Sequence, residues 1–550
     1  MPNQEQLLRE KYYLDHFQYL IDFIKAYYLN LLNLSELKFV NAIENLSLNA
    51  QCLLARLYNR QGMIFAVSKL KYPEINDMAE CLLELERQGL IQYLKKPGDI
   101  DLSYLLKFKN CDELLALLKH FQVKLKNNHM NKTQLIEVVV RSHIDDEDIM
   151  SYLVSNDPAI ILPFKEEYLT LRFLLFGNLK QNMTQFVIKE LKGFEPLIFN
   201  KSHFCALFTS RQEIDEGFAI QKAYQHINIK NKEPMEVFVE FNQWRQQNSI
   251  TTEFAKLTYG KLAIRLASYF EKLKLYQQAI AIYETTSLPP ANKKRIKLYA
   301  KINRLDEAIQ LSQTIIKESQ HAEEIIFAKD FLAKIQQRNT LKATSLHLKQ
   351  AEKLQLVLNS DVKPEDAVIA HLNSLDYQAY FAENYLWKGL FGLLFWDILF
   401  DKHAPYFHHP FQFLPTDLKQ GKILHTRNLA IKQRLQILGE KTACVDIIRN
   451  HYNQYDQTPN GIVSWHPDLL FLIEKNINFL DRHQLETILV EMASDWRNNS
   501  IGFPDIMCWR NNEYCFIEVK STFDKLSPYQ LRWLTLFQKI GVNAKILHLI

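Results

Sequence analysis

The sequence predicts a mainly α, multidomain protein that changes to a small α/β unit near its C-terminus. Three observations predict it. At 550 residues the chain is too long for one hydrophobic core, so two to four domains are expected. Gly and Pro are scarce, at 14 and 17, and long runs rich in Leu, Lys, Gln and Glu carry helical spacing. From Gly502 onward the apolar residues fall instead into strand-length runs separated by polar turns.

Composition narrows the function classes. Apolar residues make up 47%, which excludes a mostly disordered chain. A net charge of +4 permits nucleic-acid binding without arguing for it, because any basic surface has to be local. The cysteines at 52, 81, 111, 205, 444, 508 and 515 form no C-x-x-C pair, against both a zinc module and a disulfide framework. They suit a reducing compartment. The N-terminal MPNQEQLLREKYY has no apolar signal-peptide core, so a cytoplasmic protein is expected, or a nuclear one in a eukaryote. The most apolar run, Leu386 to Phe400, contains Lys388 and Asp397 and falls short of the roughly twenty residues of a membrane span. It is expected to be a buried helix, with no membrane partner.

Four domains are expected in order. Residues 1–102 form an N-terminal helical domain: Asn49 to Tyr58 has helical spacing, and Ile75 to Glu86 gives a second helix stopped by Gly89. Leu90-Ile-Gln-Tyr93 then reads as a short strand. This suits a winged-helix-like module or an ordinary helical cap. Residues 103–145 form a compact unit, with one helix from Asp112 to His120 and another from Lys132 to about Ser142, capped by Asn131. The leucine spacing and the step Lys132-x-x-Leu135-Ile136 resemble the SAP motif, a helix-turn-helix that binds duplex DNA, although the usual glycine in the turn is missing. That resemblance makes Lys124, Lys126 and Lys132 candidate DNA contacts; the alternative is a structural hairpin whose lysines are a solvated face. Residues 146–360 form a helical scaffold. Within it Tyr276-Gln-Gln-Ala279-Ile-Ala-Ile-Tyr is echoed by Leu305-Asp-Glu-Ala308-Ile-Gln-Leu-Ser, 29 positions on, a little short of the tetratricopeptide period.

Residues 361–550 carry the chemistry. Gly502-Phe-Pro-Asp505-Ile-Met-Cys-Trp509 and Tyr514-Cys-Phe-Ile-Glu518-Val-Lys520 read as two strands joined by the turn Arg510-Asn-Asn-Glu. Ser527-Pro528 opens a helix that Gly541 ends, and Ala544 to Ile550 is a last strand. Pro-Asp, twelve residues, then Glu-x-Lys is the signature of the PD-(D/E)xK nuclease core. On adjacent strands Asp505 and Glu518 converge, and Lys520, two residues further, shares their face. Val519 points its side chain into the core and offers its carbonyl as a further oxygen ligand. Such an oxygen-rich set suits Mg²⁺ or Mn²⁺, which activates water and neutralises phosphate. Lys520 orients the water or stabilises the transition state by charge. Pro467-Asp468 is a decoy, with no Glu-x-Lys at hairpin distance.

A wider resemblance follows from these residues. Gly-x-Pro-Asp505, Glu518-Val-Lys520, Asp524-Lys-Leu-Ser527 and Gln530-x-x-Trp533-Leu534 resemble the VRR-NUC domain. The run from Glu383 through Gly392-Leu-Leu-Phe-Trp396-Asp397-Ile-Leu-Phe400 resembles the helix that carries a further active-site glutamate in Fanconi-associated nucleases. Ala55-Arg-Leu57 and the stretch from Lys69 to Ile75 are similar to that family too. With no zinc-finger region, the chain looks like the shorter bacterial form. The resemblance implies a structure-specific nuclease with 5′-flap endonuclease and 5′-to-3′ exonuclease activity on branched or flapped double-stranded DNA, in interstrand crosslink repair. It adds Glu383 to Asp505, Glu518, Lys520 and the Val519 carbonyl, enough oxygen for two metal ions, and gives Gln530 as a weaker candidate facing the site. The rival readings are a Holliday-junction resolvase and a non-catalytic helical-repeat scaffold; an intact carboxylate set argues against the second.

Overall fold

The structure is a computed structural model. It describes residues 11–550 apart from 61, 95–100, 126–129, 185, 187–203, 228–231, 320, 337–341, 357–361, 384, 402–405 and 410. The chain is 64% helical and divides into two compact units, Met1–Phe194 with Ala206–Ile214, and Glu195–Cys205 with Asp215–Ile550. Among the described residues no helix is long and apolar enough to cross a membrane.

The first unit is helical around a small antiparallel sheet. Helices Leu48–Asn59 and Met78–Arg87 flank the strand β1 (Ile64–Ala66). The second helix starts at Met78 rather than Ile75, because Asp77 accepts the Glu80 N–H and caps it there. Gly89, at φ +69°, turns the chain into β2 (Gln92–Tyr93). Both strands pair with β3 (Ala159–Ile161), in the order β1-β3-β2. β3 therefore completes the N-terminal domain from beyond the expected boundary at 102. The SAP-like helices Cys111–His120 and Lys132–Arg141 lie between β2 and β3 in sequence. Asn131 caps the second in a capping box with Gln134. Their Leu114, Leu117, Leu118, Leu135 and Val139 share one core with Ile64 and Ala159, so no boundary in packing separates them from the sheet.

The second unit begins with paired helices, among them Glu253–Lys272, Tyr276–Tyr283, Ala291–Lys301 and Leu305–Glu318. The echoed Ala279 and Ala308 are both fully buried, where a small side chain lets helix backbones approach. The chain then builds a five-stranded sheet from β4 (Glu352–Leu354), β5 (Gln378–Phe381), β6 (Ile506–Arg510), β7 (Glu513–Lys520) and β8 (Ala544–Leu549). The order is β4-β8-β7-β6-β5. β5 and β7 run antiparallel to β6 between them, while β7 and β4 are parallel to β8. The crossover from β7 to β8 is the helix Pro528–Lys539, since parallel strands need a long connection. β4 enters this sheet from inside the span assigned to the scaffold.

Alternation along β7 decides its two faces. Ile517 and Val519 join Val368, Ala379, Ile506, Cys508 and Leu547 in the core under helix Pro364–Ser374. Phe516 points the other way, into an aromatic cluster with Trp387 and Phe537. Phe503 extends that cluster, stacked on Trp533 at 4.2 Å between centroids. Trp387 belongs to helix Leu386–Leu394, which a bend at Phe395 separates from Trp396–Leu399. The apolar run is thus buried as expected, but its helix begins at Leu386 rather than Glu383.

Candidate active site

The site is assembled where β5 ends, β6 begins and β7 ends. Asp505 immediately precedes β6, at a place fixed by its neighbours. Gly502 has φ +86°, and a Cβ there would lie 2.7 Å from the Tyr529 carbonyl carbon and 2.9 Å from the Gln530 nitrogen. Only glycine lets the chain pass so close to the start of helix Pro528–Lys539. Asp505 is 6% exposed, and its Oδ2 accepts the Val519 N–H at 2.8 Å. This bond ties the first carboxylate across to β7 and leaves the Val519 carbonyl unused by it.

Glu518 is completely buried. Its Oε1 receives Lys520 Nζ at 2.8 Å and a hydrogen bond from Gln530 Nε2. Gln530 is held for this by the helix start: its Oε1 accepts the Ser527 N–H at 2.8 Å, and the Ser527 hydroxyl accepts the Gln530 N–H. Oε2 of Glu518 is also shut off from water and has no hydrogen-bond partner among the described residues. A buried carboxylate oxygen left this way is costly unless something outside the protein completes it.

Electrostatics follow from crowding. Burial lifts the Asp505 carboxyl to about 7, with the charges of Glu383 and Glu365 adding to the rise and the Val519 N–H and Lys520 opposing it. Burial lifts Glu518 to about 8, helped by the charge of Asp505 and opposed by Lys520. Burial works against the Lys520 ammonium, but Glu518 and Asp505 hold it above its usual range.

Glu383 reaches this place through the backbone. The Asp505 carbonyl accepts the N–H of Ala382 at 2.7 Å and of Glu383 at 3.1 Å, extending the pairing of Phe381 with Ile506 by one step. Glu383 is half-buried in the turn before helix Leu386–Leu394, not in its first turn. Its charge bears on Asp505, Glu518 and Lys388. Among the described residues no three His, Cys, Asp or Glu side chains close into a metal-binding cluster. The structure thus joins Asp505, Glu518 and Lys520 tightly and brings Glu383 only to their margin.

Two charged neighbours are absent from the sequence-derived set. Glu365, in the first turn of helix Pro364–Ser374, adds negative charge at Asp505. Lys388, in the first turn of its helix, is a half-buried ammonium that burial pulls below its usual range, with the charge of Glu383 opposing that fall. The candidate DNA contacts belong to the first unit. Lys124 is exposed, Lys132 is half-buried and donates to the Lys107 carbonyl, and Lys126 lies outside the described residues.

The oxygen donors fit a hard divalent cation: two buried carboxylates, Asp505 and Glu518, the second with its Oε2 uncompleted among the described residues.

Two family models match, "FAN1, HTH domain" over residues 11–92 and "VRR-NUC domain" over residues 440–549. The Fanconi-associated nuclease 1 homolog of Pseudomonas aeruginosa is 26% identical, with 97% of this chain covering 94% of that one. The Oryza sativa homolog is 22% identical over 97% of this chain and 62% of its own length, so the chain spans less than two thirds of that plant relative. Human Fanconi-associated nuclease 1 is 26% identical over 34% of this chain and 19% of its own length. The crystal structure of paFAN1 bound to DNA with a two-nucleotide 5′ flap and a gap superposes with a TM-score of 0.78, at 24% identity and over 99% of both chains. At that identity the superposition shows a shared fold.

Proposed function

We propose that this chain, which belongs to the Fanconi-associated nuclease family, cuts DNA at 5′ flaps and degrades it in the 5′-to-3′ direction. It is a DNA nuclease dependent on a divalent metal. The observation that carries the reading is the fully buried Glu518, with one oxygen held by Lys520 and Gln530 and the other unpartnered beside Asp505. A purely structural carboxylate has no use for that arrangement. Support for the flap comes from paFAN1, which was crystallised on 5′-flap DNA. Interstrand crosslink repair fits the family.

Asp505, Glu518 and the Val519 carbonyl would hold Mg²⁺ or Mn²⁺, with Glu383 supplying oxygen for a second ion. The bound cation supplies an activated water and charge neutralisation at the phosphate. The chain's own residues do the rest. Lys520, charged and fixed on Glu518, places a positive group where the phosphate oxygens gain charge in the transition state. Gln530 fixes Glu518 Oε1 and so aims Oε2. The aromatic wall of Trp387, Phe503 and Phe516 keeps water away beneath the carboxylates and strengthens each electrostatic contact.

The test is an end-labelled panel of 5′-flap, 3′-flap and four-way-junction DNA with Mg²⁺ or Mn²⁺, resolved to single nucleotides. The expected result is incision near the 5′-flap junction, abolished by EDTA. Symmetric cutting of the four-way junction in preference to the flap would replace this reading with a resolvase.

A further inference from the structure

We propose that Phe523 is a stacking residue, presenting its ring to a base of the DNA strand held in the active site. The inference rests on the reading of that site as a DNA nuclease. A single exposed apolar side chain is ordinary on a protein surface, so exposure alone decides nothing. Placement, fixation and company single this one out.

Phe523 is 92% exposed, more than any other exposed large hydrophobic residue among the described ones. The other phenylalanines of the C-terminal stretch, Phe503, Phe516 and Phe537, are fully buried. It stands three residues beyond Lys520, on the loop that leaves β7 at the carboxylate end of the sheet. Anything bound at Lys520 and Glu518 must come near this loop.

The loop is fixed at both sides of the ring. Ser521 donates its N–H and its hydroxyl to Asp524 Oδ2, at 2.8 and 2.6 Å. Leu526 is buried and packs with Leu531 and Ile546. Between these anchors Thr522, Phe523, Asp524 and Lys525 are exposed. A ring on a loop already ordered loses little freedom when it meets a ligand. Lys525, two residues away, adds a cation suited to a phosphate. An aromatic ring with a neighbouring cation is the combination that holds unpaired nucleic acid, since every base offers a π-face.

The experiment measures binding in EDTA, where no cutting occurs. The probes are 5′-flap DNA and unbranched duplex carrying 2-aminopurine at successive positions around the junction. Stacking on Phe523 quenches the fluorophore at one position. The expected result for Phe523→Ala is loss of that quench and roughly five- to hundredfold weaker binding. Phe523→Trp should keep both, Phe523→Leu neither, and the neighbouring Thr522→Ala should match wild type. Wild-type affinity and quench in Phe523→Ala would overturn the stacking contact and leave the flap reading intact. A Phe523-dependent quench on flap and plain duplex alike would support the contact and overturn the flap preference.

Discussion

Two buried carboxylates in the second unit show how a structural acid differs from a chemical one. Asp417 is 6% exposed and Glu518 is 0%. Asp417 uses every acceptor position it has on the protein. Its Oδ1 receives Arg427 Nη2 at 2.6 Å and the Leu418 N–H at 2.9 Å, and its Oδ2 receives Arg427 Nε at 2.7 Å and the Thr426 hydroxyl at 2.6 Å. Arg427 also lies over the Tyr406 ring. Among the described residues Glu518 has donors on one oxygen only. Burial is common to both, so burial does not mark the site. The mark is acceptor capacity left open next to a second carboxylate.

Substitutions can break this contrast, and the largest expected effect is at Asp417. Asp417→Ala strands Arg427 as an unpaired buried cation and should cost about 3–5 kcal/mol of stability, measured by urea unfolding. The molecules that remain folded should cut DNA at the wild-type rate. A stable Asp417→Ala protein without activity would put Asp417 in the chemistry and undo the comparison. Glu518→Gln should behave in the opposite way. In EDTA its stability should equal or exceed that of wild type, while cleavage falls roughly a hundred- to thousandfold.

Glu383→Gln sharpens the same contrast at the margin of the site. The change keeps size and hydrogen bonding and removes only the charge. Cleavage should fall by about a hundredfold, with folding and DNA binding intact. Near wild-type cutting would make Glu383 a turn residue that merely lies close to Asp505, and would leave the Asp505–Glu518–Lys520 set unaffected.

These residues were unequally legible in the sequence, for physical reasons. Asp505, Glu518 and Lys520 lie on one local hairpin, closed by Asn511 at φ +57°, and a period of two puts Glu518 and Lys520 on one face. Everything needed to relate them is within sixteen consecutive residues. β4 and β5 were not read, because runs of three and four residues are too short to show alternation and their partners lie far along the chain. β3 escaped for the same reason, which hid the continuity of the SAP-like helices with the N-terminal sheet. Glu383 was legible only through family resemblance, since what brings it to the site is two backbone hydrogen bonds to the Asp505 carbonyl. Glu365 had no signal at all. Acids in the first turn of a helix are favoured by the helix dipole, and Glu166, Asp306 and Glu323 occupy the same kind of position.

The smallest effect is a dependence of stability on pH, and its sign distinguishes the site from ordinary acid pairs. Without metal, Asp505 holds its proton up to about 7 and Glu518 up to about 8, whereas in the unfolded chain both give it up near 4. The folded state therefore binds more protons than the unfolded state between those limits. The stability these groups contribute is fully present below about pH 4 and is lost as pH rises through 7 to 8, at up to about 1.4 kcal/mol per pH unit for each proton. A salt-bridged surface carboxylate gives the opposite sign. A divalent cation favours the deprotonated carboxylates, so its binding releases protons and tightens as pH rises. Melting curves in EDTA from pH 6 to 9 should show wild type losing roughly a few degrees more than Glu518→Gln. Mn²⁺ should then raise the wild-type midpoint more at pH 8 than at pH 6, and scarcely move that of Glu518→Gln. Parallel curves for the two proteins, with or without Mn²⁺, would mean that Glu518 does not exchange a proton for a metal, and the contrast with Asp417 would rest on geometry alone.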